Sequence, residues 1–410
     1  MGESRIRSWI TPLLPRADPW LDAAFPIAVA VLYAGQRTPA FLILLAWLIW
    51  RLCQQISRYP LALVFLLLLG AQAGNIVLER GLQPSSASDP LVIALGFVAM
   101  LGRSPQQWQN TLRWLALAIV PIAIWALTQD SALPLDPPVG GINRLGFLLG
   151  MLQLAAWAAG CLAAGWWSRL LFWGLAAAVV PMALQNGSRV ALLAAPMAIV
   201  VSVGLAFWQQ RSDWLPGNWG RWMRWRRPVL LGLLLSLGLL SGLLIQRWYL
   251  NPPVGSLDGL SDRARLETAR CWAAQPLRRG DERLLLGAGY NNDVQKRCDG
   301  RRLPVLNAMQ PPRPAGLPHA HNLFVQIWAE NGLLGLLSLI TTLALLARQA
   351  WRDCSQVPMQ GKRVLVFALP VLLYLLMNGL VSSFQLFLMS NQLLVGLALA
   401  SLWPDCRRSG

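Results

Sequence analysis

The sequence predicts an all-α polytopic membrane protein with about twelve transmembrane helices and one large outward-facing loop containing short helices. Three observations lead to that fold class. Hydrophobic residues make up 55% of the 410 residues and charged residues only 13%, about half the charged share of a soluble globular domain. Apolar stretches of helix length recur along the chain. Basic residues fall unevenly among the segments between those stretches, as they do when arginine sets membrane orientation. The formal charge of +17 therefore reads as topogenic arginine in cytoplasmic segments rather than a surface for nucleic acid, and no nucleic-acid partner is expected.

Taken in order, apolar spans lie near 20–35, 38–50, 60–78, 90–102, 114–128, 145–165, 170–185, 190–208, 228–246, 322–347, 364–380 and 384–403. The second and fourth are shorter than the roughly 20 residues an upright helix needs to cross a bilayer. The first follows Arg5, Arg7 and Arg16 and reads as a membrane helix rather than a cleaved leader. With the N-terminus inside, inner segments hold 19 Lys and Arg and the short outer segments hold four: Arg37, Arg80, Arg144 and Arg189. Three regions follow: 1–246 with nine spans, a large outer loop over 247–320, and 321–410 with three spans and a short cytoplasmic tail. Both termini are expected in the cytoplasm.

The loop is a break in composition, with 12 basic and 7 acidic residues over 247–320 and many Pro and Gly. Its segment 261–272 is rich in arginine, and Arg265, Ala269 and Trp272 are spaced to share a helix face. Leu285-Leu286-Gly287-Ala288-Gly289 follows, a Gly-x-Gly that is compatible with a simple turn. Cys53, Cys354 and Cys406 fall at inner ends and Cys161 within a span. Cys271 and Cys298 both fall in the loop, where an oxidising compartment allows a disulfide and two free thiols are the alternative.

Pro318-His319-Ala320-His321-Asn322 holds the only two histidines of the chain and runs straight into an apolar helix. At 100° per residue, Val325, Trp328, Gly332 and Gly335 fall within about 40° of His321, with Glu330 on the opposite side. Gly332 and Gly335 read as a seam where another helix approaches closely. An interfacial histidine above a packing seam accounts for the same residues without any chemistry. Arg189, in Gln185-Asn186-Gly187-Ser188-Arg189, lies at the outer junction of the seventh and eighth spans. It is either a boundary anchor that snorkels or a phosphate ligand. No Asp-x-Asp, cysteine cluster or acidic trio faces outward, so no metal is expected, and no phosphate-binding G-x-x-x-x-G-K-[ST] implies ATP. No cofactor is expected.

The order of these features, with Ser-Arg at 188–189, an arginine-rich helix, Gly-x-Gly, and then His321, Asn322, Gly332 and Gly335, resembles the O-antigen ligase and polymerase superfamily. The resemblance covers about 180–345, and the first six spans match only as hydrophobic helices. It implies a glycosyltransferase of the bacterial inner membrane with a periplasmic active site. The donor would be a glycan on undecaprenyl diphosphate, and the acceptor a sugar hydroxyl of lipid A–core. The resemblance further implies catalytic roles for His321, Arg189 and Arg265, and substrate contacts from Arg263, Asn322 and His319. Arginine forks suit diphosphate oxygens, and a largely neutral histidine suits proton removal from a hydroxyl. A repeat-unit polymerase and a protein O-oligosaccharyltransferase of the same superfamily differ only in acceptor. A transporter or flippase of a lipid-linked anionic substrate is the alternative of another class. It would carry charges deep within spans or Pro- and Gly-broken helices at mid-membrane, whereas the polar groups here cluster on the outer side.

Overall fold

The computed structural model describes residues 105–129, 142–186, 189–208, 257–278, 280–288, 320–356 and 364–381, with Phe97, Val294, Cys298 and Ala400 as isolated positions. Most of these residues are helical, and no strand occurs among them. In chain order the helices are α1 (Pro105–Leu117), α2 (Ile119–Leu127), α3 (Ile142–Leu162), α4 (Trp166–Asn186), α5 (Arg189–Trp208), α6 (Leu257–Ala274), α7 (Asp281–Leu286), α8 (Leu323–Gln356) and α9 (Leu369–Val381). A short 3-10 turn, Pro276–Arg278, links α6 to α7, and a π-helical turn, Val364–Ala368, leads into α9. Four helical segments are long and apolar enough to cross a membrane: Gln106–Leu127, Leu145–Leu162, Trp166–Asn186 and Leu323–Thr341. Leu192–Gly204 and Val366–Leu380 are shorter apolar helices. The spans read near 20–35, 38–50, 60–78 and 228–246 lie outside the described residues, as do those near 90–102 and 384–403 apart from Phe97 and Ala400.

One sequence boundary moves. The span read at 114–128 belongs to an apolar segment that starts at Gln106, so half-buried Arg113 lies within it rather than before it. The polar first turns of α1 hide that start from a hydropathy reading. Gln109 is used there, donating through Nε2 to the Leu162 carbonyl at 2.7 Å.

Beyond Asn143 and Arg144 in its first turn, helix α3 is apolar on every side except at Gln153, which donates to the Ala176 carbonyl of α4 at 3.2 Å, and a helix of that kind belongs in the interior. It packs against α1, α4, α5 and α9, and Leu145 through Ala156 are buried without exception. Its small residues let neighbours come close, as expected where helices pack by shape rather than by expulsion of water. A methyl group at Gly160 would run into the Trp173 indole of α4, whose ring stacks on Trp157 at 6.0 Å. A methyl group at Gly150 would strike the Tyr374 ring of α9. That ring stacks on Phe147 at 5.6 Å, and the Tyr374 hydroxyl donates to the Phe147 carbonyl at 3.1 Å.

The direction of each helix in the bundle follows from these pairings. Helices α3 and α4 form a hairpin whose turn, 163–165, is held by Arg169 Nε donating to the Ala163 carbonyl at 2.9 Å. Gln109 places the start of α1 at that same end. Trp108 lies 6.3 Å from Phe367, so the π-helical turn begins there as well. Seven residues later Tyr374 has reached Phe147, only five residues from the start of α3, so α9 runs antiparallel to α3. Each residue advances a helix by about 1.5 Å, and Leu380 therefore emerges at the opposite end, beside the start of α3 and the α4–α5 junction. Asn322 Nδ2 donates to the Leu380 carbonyl at 2.8 Å, which brings the start of α8 to that end too.

Candidate functional site

The end of the bundle that gathers Leu380, the start of α8 and the α4–α5 junction also carries the arginine-rich segment of the loop. Helix α6 packs on α8 through one face, on which Thr268 and Trp272 are fully buried. Trp272 centres a small cluster with Ala288, Val294, Cys298, Ala320 and Ala329, flanked by Cys271 and Val325. Trp328 of α8 donates through Nε1 to the Ala273 carbonyl at 2.9 Å. A disulfide joins Cys271 to Cys298, with Cα atoms 5.9 Å apart. Gln275 Nε2 sits over it, 3.3 Å from the Cys271 carbonyl and 3.5 Å and 3.6 Å from the two sulfurs.

The Gly-x-Gly stretch docks on the same helix. Helix α7 starts after Gly280 (φ 95°) and stops at Gly287 (φ 90°). The amide of Ala288 then donates to the Ala329 carbonyl of α8 at 2.8 Å. Helix α8 can accept from outside because its ladder is broken at Gly332, where φ is 62° and ψ is −159°. A break of that kind leaves carbonyls of the preceding turn to be satisfied from elsewhere. Backbone meets backbone at this point. A Cβ on Gly287 would enter the Glu330 carbonyl, and one on Gly332 would enter the Leu285 carbonyl. Gly332 thus marks a close approach, but to the last turn of α7 and Gly287. Gly335 faces its own helix, since a Cβ there would meet Asn331 and lie 3.5 Å from Ile327 Cγ2. Glu330 is buried and accepts from Gln326 Nε2 at 3.0 Å.

No family model and no curated protein matches this chain.

His321 sits where these contacts converge. Its neighbour Ala320 is buried in the Trp272 cluster. The residue after it, Asn322, caps α8, with Oδ1 accepting from the Val325 amide at 3.0 Å. His321 itself takes a left-handed backbone (φ 55°), is half-buried, and has its Nε2 atom shielded from solvent. Non-glycine residues adopt that conformation at a cost, histidine among the more tolerant. The helical-wheel reading of His321 with Val325, Trp328, Gly332 and Gly335 is corrected here. The histidine precedes the helix, and the left-handed residue at Gly332 interrupts the uniform 100° step on which a wheel depends.

The remaining sequence candidates are placed as follows. Arg265 is half-buried on α6, one turn from buried Thr268 and two turns from Trp272. Arg263 lies on the same helix, with its side chain outside the described residues. Arg189 is the first residue of α5, at the bundle end that holds the start of α8, and its side chain is likewise outside the described residues. His319 lies outside the described residues altogether. Both polar atoms of the Asn322 amide have partners within the chain. Sequence reasoning placed Trp328 on the helix face below His321 but missed its hydrogen bond to the Ala273 carbonyl, and it missed Gln275 and the Leu380 carbonyl altogether. Only Trp328, an indole in the first turns of an apolar helix, carried a local signal.

Proposed function

We propose that the chain is a membrane glycosyltransferase of the O-antigen ligase type, moving a glycan from undecaprenyl diphosphate to a sugar hydroxyl of lipid A–core outside the inner membrane. The observation that supports this reading is a convergence at one end of the bundle. His321 at the head of α8, α6 with Arg263 and Arg265, and Arg189 at the start of α5 all belong to that end. In the proposed reaction the acceptor hydroxyl oxygen attacks the anomeric carbon and gives its proton to the His321 imidazole. The bond from that carbon to the diphosphate oxygen breaks as the new glycosidic bond forms, with inversion. Undecaprenyl diphosphate leaves as an anion, and the arginines neutralise the charge it gains. No nucleotide is needed, because the sugar–diphosphate bond already stores the energy, and in this reading the arginines do the charge neutralisation that a metal would otherwise supply.

The test is deletion of the gene in its host, followed by a gel of the lipopolysaccharide. Loss of all long chains, with intact core and accumulated lipid-linked polymer, is the expected result. Core carrying one repeat unit would assign a polymerase instead, and unchanged lipopolysaccharide with altered glycoproteins a protein O-oligosaccharyltransferase.

A further inference from the structure

Asn322 joins two helix ends with one amide. As N-cap of α8 its Oδ1 accepts from the third helical amide, Val325, at 3.0 Å, and its Nδ2 donates to the Leu380 carbonyl at 2.8 Å, 58 residues away in sequence. Leu380 is the penultimate residue of α9, so its carbonyl is one of the last four that a helix cannot satisfy internally. The first amides of α8 have the matching deficit. The carboxamide carries its acceptor and its donor on one carbon, Cγ, pointing apart, so a single side chain serves both ends. Asp and Ser cap as well as Asn does, but neither offers the second donor in that place.

We infer that Asn322 is a positioning residue: by tying the head of α8 to the tail of α9 it holds the adjacent His321 in its left-handed, half-buried setting. The inference builds on the proposed glycan transfer, and it moves Asn322 from substrate contact to support. Three restraints then fix the histidine. Ala320 is buried on one side of it, the α8 cap lies on the other, and the Leu380 carbonyl anchors the cap to a second helix. Residues with unfavourable φ persist only when their surroundings over-determine them.

The experiment uses the full chain in lipid nanodiscs with Asn322→Ser and Asn322→Asp, both of which keep the helix cap. Spin labels on Leu334 and Leu380, whose side chains are exposed, report the distance between α8 and α9. Glycan transfer and donor binding are measured on the same preparations. Both variants should broaden or lengthen the distance distribution and lower turnover about threefold to tenfold, the effect of one lost hydrogen bond. Donor affinity and acceptor KM should hold, and combining Asn322→Ser with His321→Ala should cause no further loss. An unchanged distance distribution overturns the inference. So does a raised acceptor KM at normal turnover, which would make Asn322 a substrate contact, or full additivity with His321→Ala. Wild-type activity of His321→Ala would count instead against the glycan-transfer reading, and the label distances would then decide the tie between helices by themselves.

Discussion

Replacing Gly332 with alanine attacks the point at which the loop is fastened to α8. Gly332 has φ 62° and ψ −159°, a region that is essentially restricted to glycine, and holding an L residue there costs about 1–3 kcal/mol. The added methyl group would also enter the Leu285 carbonyl and lie 2.5 Å from the Gly287 amide nitrogen. The backbone of 285–287 would have to retreat, breaking the Ala288 to Ala329 hydrogen bond, which contributes about 1 kcal/mol. Together these amount to about 2–4 kcal/mol against docking of the loop. Two other glycines separate the contributions. Gly280 has φ 95° and ψ 173°, in the same glycine region but with open space around it, so Gly280→Ala should show backbone strain alone, about 1–3 kcal/mol. Gly174 lies inside α4 with nothing near its missing Cβ, and Gly174→Ala should be neutral or stabilise by about 0.5–1 kcal/mol. The assay is hydrogen exchange of peptides spanning α6 and α7, because local opening rather than global unfolding is at issue. Gly332→Ala should raise exchange there most, Gly280→Ala less, and Gly174→Ala not at all. Equal protection in Gly332→Ala and Gly174→Ala would refute the backbone contact.

The other predictions concern the disulfide, the arginines and the topology. Non-reducing mass spectrometry should find Cys271 linked to Cys298, and free alkylation of both would contradict the bond. Because the bond spans 27 residues, chain entropy sets the effect of Cys271→Ser at up to about 3.5 kcal/mol, seen as faster exchange in α6 and α7. Arg189→Lys keeps the charge but loses the fork, so it should slow glycan transfer roughly tenfold to a hundredfold, and the Arg189→Ala, Arg265→Ala pair should weaken donor binding. Normal donor binding by that pair would remove both arginines from the donor site. Cysteine labelling from outside should mark positions within 255–315 and spare 212–225; labelling of the latter would reverse the topology.

Hydropathy reads helices well where one property governs a whole segment. The spans read at 145–165 and 170–185 correspond to α3 and α4, because an apolar run of about 20 residues has few other ways to satisfy its backbone. The helix expected around Arg265 and Trp272 is present as α6, since its charges and its buried face repeat with the same period. What stayed hidden depends on single dihedrals and distant partners. A wheel through His321 assumes uniform helix on both sides, and the left-handed residues His321 and Gly332 break that assumption. Gly287 and Gly332 carry no sign in the sequence that their backbones touch, 45 positions apart. The hydrogen bond of Asn322 to Leu380 involves a main-chain carbonyl, which every residue possesses, so nothing in the side chain of Leu380 announces it.

The proposed chemistry turns on His321, and glycan transfer in vitro by His321→Ala tests it most directly. Purified lipid-linked donor and lipid A–core acceptor would be used, with donor binding and protein abundance measured alongside. General base catalysis contributes typically about 10²–10⁴-fold, so turnover should fall by that factor while donor affinity stays close to that of the unaltered protein. Full turnover by His321→Ala at normal abundance would contradict the proposed mechanism.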